Sequence, residues 1–209
     1  MKIRISLLVV LLSFLQTLSS QSKPENYYNS SFDKIDKSEF DETLKKEGYR
    51  YNKYDLENEI ANILYQRKTR GQLSHNDFND LKNQLNKIAP ISDGIIVIIY
   101  YPGKDWCNQK ESNSTWNIFD NDYKKNLKKL NITNQFWIYK NDENLKYYYP
   151  KKINWQKDED QLIENLFFKM HYPCSSSTVI DENGDFISIL GEFGKQEIIE
   201  NIKELKSKK

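Results

Sequence analysis

The sequence predicts an α/β protein, with a β-α-β-α-β-β-α domain over residues 91–209 preceded by a helical N-terminal region over 21–90. Three observations carry that expectation. The run IIVIIYY (Ile95–Tyr101) is continuously apolar and rich in β-branched residues, the pattern of a strand buried on both faces. STVID and DFISIL flank the turn signal Glu182-Asn183-Gly184, which reads as a β-hairpin. Around these strands apolar residues recur at helical spacing, so strands and helices alternate along the chain.

Taken in order, Leu56, Ile60, Ile63 and Leu64 fall on one face of an expected first helix, and Phe78, Leu81, Leu85 and Ile88 on one face of a second. Ser74, three residues before Asp77, is placed to cap the second. Residues 22–89 hold one proline and two glycines, whereas 90–209 hold four prolines, five glycines and all four tryptophans, a shift that marks a boundary near Ala89-Pro90. Beyond it, Pro102-Gly103 ends the apolar strand, and a helix is expected to end near Leu130. QFWIYK (Gln135–Lys140) reads as the next strand, and the turn Asn141–Asn144 as folding LKYYY back on it. Leu162, Ile163, Leu166, Phe167 and Met170 mark another helix, and Ile198, Ile199, Ile202 and Leu205 the closing one. The order gives parallel crossovers first and an antiparallel hairpin last.

Composition narrows the function classes. The 209 residues carry 31 basic and 30 acidic side chains, a net charge of +1, so no electrostatic footprint for nucleic acid is expected. Two cysteines exclude a disulfide-rich scaffold and a four-cysteine zinc site. No phosphate-binding glycine loop, Ser-His-Asp arrangement or carboxylate-rich metal motif stands out, and no cofactor is expected. Asn29, Asn113 and Asn131 open glycosylation-type triplets that an asparagine-rich chain produces by chance.

The first twenty residues read as a secretory signal peptide. Lys2 and Arg4 precede the apolar run ISLLVVLLSFLQTL, which is shorter than a membrane span and ends in Ser19-Ser20-Gln21. Cleavage near Ser20 leaves a protein without a stable membrane span. Export, to a periplasm or beyond the cell, places Cys107 and Cys174 where disulfides persist.

The buried strand followed by Trp106-Cys107, the Tyr172-Pro173 step before the third strand, and the VIDENGDFI hairpin with its terminal helix together resemble the thioredoxin-like fold superfamily. The resemblance covers about residues 91–209. It implies that Cys107 sits at a helix N-terminus, where unpaired N–H groups favour a nucleophilic thiolate. It also implies that Trp106 covers this cysteine, and that Pro173 is a cis-proline beside it whose backbone docks a bound peptide. The usual C-x-x-C pair is replaced by Cys107-Asn108-Gln109-Lys110, so the resolving cysteine is absent and Lys110 stands in its place as a charge able to tune the thiol.

If Pro173 lies beside Cys107, then Cys174 brings a second sulfur near it across 67 positions. Three readings stay open: a structural disulfide, a redox couple with Cys174 resolving, or separate thiols. Met170, His171 and Cys174 offer a ligand set suited to Cu(I), but Met170 also continues an apolar helix face, where packing is the commoner role, and no metal is expected. Two functions follow from the resemblance. One is thiol–disulfide exchange with protein thiols or disulfides. The other is a redox-inactive binding module, with the helical region and the Tyr147–Tyr149 aromatics engaging a partner protein.

Overall fold

A computed structural model describes residues 22–105, 107, 121–145 and 153–207. The chain forms two compact units, one of residues 22–45 with 51–64, the other of 46–50 with 65–207.

The first unit is built on β1 (Glu25–Tyr28), β2 (Lys34–Ile35), α1 (Lys37–Leu44), β3 (Tyr49–Asp55) and β4 (Ile60–Gln66), the last two strands continuing into the second unit. Its sheet runs β2-β1-β4-β3, with β1 parallel to β4 and antiparallel to β2. Asp36 caps α1 by accepting the Glu39 N–H, and Phe40 buries against the rings of Tyr27 and Tyr51. The helix expected on Leu56, Ile60, Ile63 and Leu64 is therefore corrected to a hairpin. Leu56 lies 47% exposed in the β3–β4 turn, its N–H bonded to the Glu59 carbonyl, and residues 60–64 are a strand. The misreading has a physical cause. Ala61, Asn62 and Leu64 are all buried, so the strand loses its alternation, and isoleucines three apart then mimic a helical stripe. The region 21–90 is thus not simply helical, because it carries five strands beside two helices.

The second unit contains β5 (Lys68–Gln72), α2 (His75–Ile88), β6 (Ile96–Tyr101), α3 (Asn121–Lys129), β7 (Asn134–Tyr139), β8 (Trp155–Lys157), α4 (Leu162–Phe167), β9 (Ser176–Ile180), β10 (Asp185–Ile189) and α5 (Lys195–Ser207). Its sheet order is β5-β10-β9-β6-β7-β8. Strand β7 runs parallel to its two neighbours β6 and β8, whereas β9 runs antiparallel to both β6 and β10. Helices cover both faces. Phe78, Leu81 and Leu85 of α2 and Ile163 and Phe167 of α4 pack with Ile96, Ile98 and Ile180 on one side. Tyr123 and Leu127 of α3 and Ile198 and Ile202 of α5 pack with Val97, Ile99 and Ile187 on the other. Strand β6 supplies alternate residues to both layers, which is why all six are apolar and all six are buried. Each such side chain contributes about 1.5–3 kcal/mol when fully buried.

Most strands and helices of this unit stand where the sequence places them. Ser74 caps α2 by accepting the Asp77 N–H, and the β9–β10 turn places Gly184 at φ +82°. The expected fold-back of LKYYY lies, beyond Leu145, outside the described residues, and the described neighbour of β7 on that side is the parallel β8. Helix α4 is shorter than expected. It ends at Phe167, and Met170 follows outside the helix but packs on the same core.

Candidate functional site

Antiparallel pairing of β6 with β9 sets Tyr100 opposite Ser176, so the loop leaving β6 meets the segment entering β9 at one end of the sheet. Pro102 and Gly103, the latter at φ +128°, turn the chain out of β6 towards Asp105 and Cys107. From the other side, the chain leaving α4 brings His171, Tyr172, Pro173 and Cys174 to the same place. There Cys107 and Cys174 form a disulfide, with an S–S distance of 2.04 Å and Cα atoms 5.8 Å apart. Both residues are half-buried. The bridge sets aside the reading of separate thiols and is common to the other two, a structural disulfide and a redox couple.

Asp105 organises the second half of the bridge. Its carboxylate, only 9% exposed, accepts the Cys174 N–H at 2.8 Å through Oδ2 and meets His171 Nε2 at 2.6 Å through Oδ1. Cys174 itself adopts φ +74°, a left-handed conformation that costs a residue with a Cβ and persists where the surroundings fix it. The Asp105 hydrogen bond is one such fixture.

The Tyr172–Pro173 peptide bond is trans, which corrects the cis-proline expectation. Trans is the intrinsically favoured isomer, and nothing in a Tyr-Pro step requires the other. The backbone at this proline already has internal partners, since the Pro173 carbonyl accepts the Ser175 N–H at 3.1 Å while Cys174 donates to Asp105. Trp106 and Lys110 lie outside the described residues.

Beside the bridge lies a cleft of about 560 Å³ whose lining includes Tyr65, Arg67, Pro173, Cys174, Gly191 and Phe193. Gly191 sits at φ +75°, where a Cβ would stand 3.5 Å from the Tyr65 hydroxyl and 3.7 Å from the Pro173 carbonyl. Those are ordinary contacts, so the positive φ rather than a lack of space is what favours glycine there. Arg67 is held on Glu197 by two hydrogen bonds of 2.5 and 2.8 Å. That pairing raises the guanidinium's pKa and lowers the carboxyl's from their ordinary values. Arg67 thus stands as a fixed wall of the cleft.

The Cu(I) set does not assemble in this state. Both sulfurs are spent in the bridge, His171 meets Asp105, and Met170 packs into the core. Among the described residues no three His, Cys, Asp or Glu side chains group to hold a metal ion, and no helix is long and apolar enough to cross a membrane. No family model, curated protein or solved structure matches the chain. Sequence reasoning missed Asp105, whose one local signal is a carboxylate directly before the Trp-Cys pair. It also missed the cleft, whose lining comes from segments far apart in the chain.

Proposed function

We propose that this chain is an exported thioredoxin-like protein that exchanges disulfides with protein thiols through the Cys107–Cys174 pair, an atypical oxidoreductase in which the second C-x-x-C position is Lys110. The observation that carries the reading is the half-buried bridge, which Cys174 presents to a cleft at the end of the sheet. Two features support the fold part, namely the strand order β10-β9-β6-β7 and the succession of a parallel crossover and an antiparallel hairpin. Export agrees with the apolar leader and with a disulfide as the resting state.

The exchange is a two-step displacement. A substrate thiolate attacks one sulfur of the bridge, the S–S bond breaks, and the other cysteine leaves as a thiolate and takes a proton. A second substrate thiolate attacks the mixed disulfide, releasing an oxidised substrate and leaving the protein as a dithiol. Two electrons and two protons pass from substrate to protein. By resemblance Cys107 is the sulfur that meets substrate and Cys174 its partner. Insulin-reduction and scrambled-substrate assays test the reading: wild type is active in at least one and Cys107→Ser is inactive, whereas equal behaviour in both counts against exchange.

A second reading, a redox-inactive module that binds a partner protein, is favoured by one observation. The Pro173 carbonyl and the Cys174 amide are already hydrogen-bonded internally, which leaves less of this backbone for docking a peptide. Binding of a partner that survives replacement of both cysteines would select this reading.

A further inference from the structure

We infer that an incoming thiolate reaches the bridge through the cleft beside Pro173 and attacks Cys174, with Cys107 as the leaving group. The inference rests on the exchange reading and reverses the order that the resemblance implies.

Access carries the argument. A disulfide sulfur is displaced by a nucleophile approaching nearly along the S–S axis, from the side opposite the leaving sulfur, so the reachable sulfur is the one attacked. Among the described residues that line the cleft, Cys174 is the member of the bridge, together with its neighbour Pro173. At about 560 Å³ the space lies within the usual range for sites that take a small organic ligand or a few peptide residues. Tyr65, Leu190 and Phe193, all buried residues, give it an apolar part, and Arg50, Arg67 and Glu192 a charged one. The substrate class is therefore a thiol, carried either by a low-molecular-weight compound or by the cysteine of an extended peptide.

Anchoring supports the same choice. Cys174 is tied by its own amide to the buried Asp105 carboxylate, an attachment independent of the bridge. Its backbone thus stays anchored beside the cleft when the S–S bond opens, within reach of the second substrate thiolate. In balanced form, the substrate thiolate bonds to Cys174 Sγ, the bond to Cys107 Sγ breaks with its electron pair going to Cys107, and Cys107 takes a proton from water. A second substrate thiolate then displaces Cys174 from the mixed disulfide.

The test uses the oxidised wild-type protein. It is exposed briefly to 2-mercaptoethanol in one arm and to a synthetic single-cysteine peptide in the other, then acid-quenched, alkylated and mapped by peptide mass spectrometry. The expected result is a probe adduct on Cys174 and an alkyl group on Cys107, in about tenfold excess over the reverse labelling. Faster labelling by the peptide assigns the site to peptide cysteines, and faster labelling by the small thiol to low-molecular-weight compounds. Adducts mainly on Cys107 overturn the inference while leaving exchange intact. A bridge that both probes leave unmodified removes exchange itself, and the inference with it.

Discussion

Asp105 is the residue on which the geometry of the bridge turns. Replacing it with alanine leaves the part-buried Cys174 amide without this acceptor; a fully buried orphan would cost about 1–3 kcal/mol, and partial access to water places the loss at or below the low end of that range. The urea midpoint of Asp105→Ala should fall accordingly, while Asp105→Asn, which keeps one acceptor oxygen, should fall less. An unchanged midpoint for alanine would show that the contact contributes nothing. Acid sensitivity is also set by single residues. Glu204 is held at about 2 by hydrogen bonds from Arg70 and Lys68, and Glu197 is lowered chiefly by Arg67. Folded pKa values below the unfolded ones give stability that is complete above about pH 4.5 and is lost as the pH falls towards 2. Asp158 opposes them, because burial raises its carboxyl and its protonation favours the folded state. Urea midpoints measured between pH 5 and 2 should therefore decline, and the decline should be shallower in Glu204→Gln. A slope identical to wild type would exclude the ion pairs of Glu204 as its source.

At the scale of elements, local chemistry decides how much was legible. The β9–β10 hairpin could be read because Glu182-Asn183-Gly184 demands a turn and Gly184 supplies the positive φ. Helix α2 could be read because its cap and its apolar stripe agree. Ser74→Ala should accordingly lower stability by about 1 kcal/mol, measured by urea unfolding, and a neutral result would mean that the cap is redundant. Strand β4 was misread because burial of consecutive residues erased its alternation. Strands β5 (KTRGQ) and β8 (WQK) gave no signal at all, since they lie at the two edges of the sheet, where few apolar side chains are required.

For the molecule as a whole, the site follows from topology more than from any motif. Trp106-Cys107 and Pro173-Cys174 are visible in the sequence, but the meeting of Cys107 with Cys174 depends on β6 and β9 being antiparallel neighbours, a long-range fact that spacing alone does not encode. The contribution of Asp105, and the cleft walls drawn from residues 65–67 and 190–194, are non-local in the same way. The bridge joins residues separated by 67 positions, and chain-entropy arguments give closure of such a loop about 4 kcal/mol of stabilisation. Reduction should lower the unfolding free energy by roughly that amount, compared by urea titration with and without reductant, whereas equal titrations would show that the bridge does not constrain the unfolded chain.

In the proposed exchange the Cys107–Cys174 bridge is a working redox group, and its transfer of oxidising equivalents can be followed directly. Oxidised protein is mixed with a reduced, unfolded dithiol substrate, and the redox state of each is read by intact mass after alkylation. The substrate should gain a disulfide as the protein gains two alkylated cysteines, in equal amounts, and neither Cys107→Ser nor Cys174→Ser should complete the transfer. A bridge that stays closed while the substrate stays reduced would contradict it.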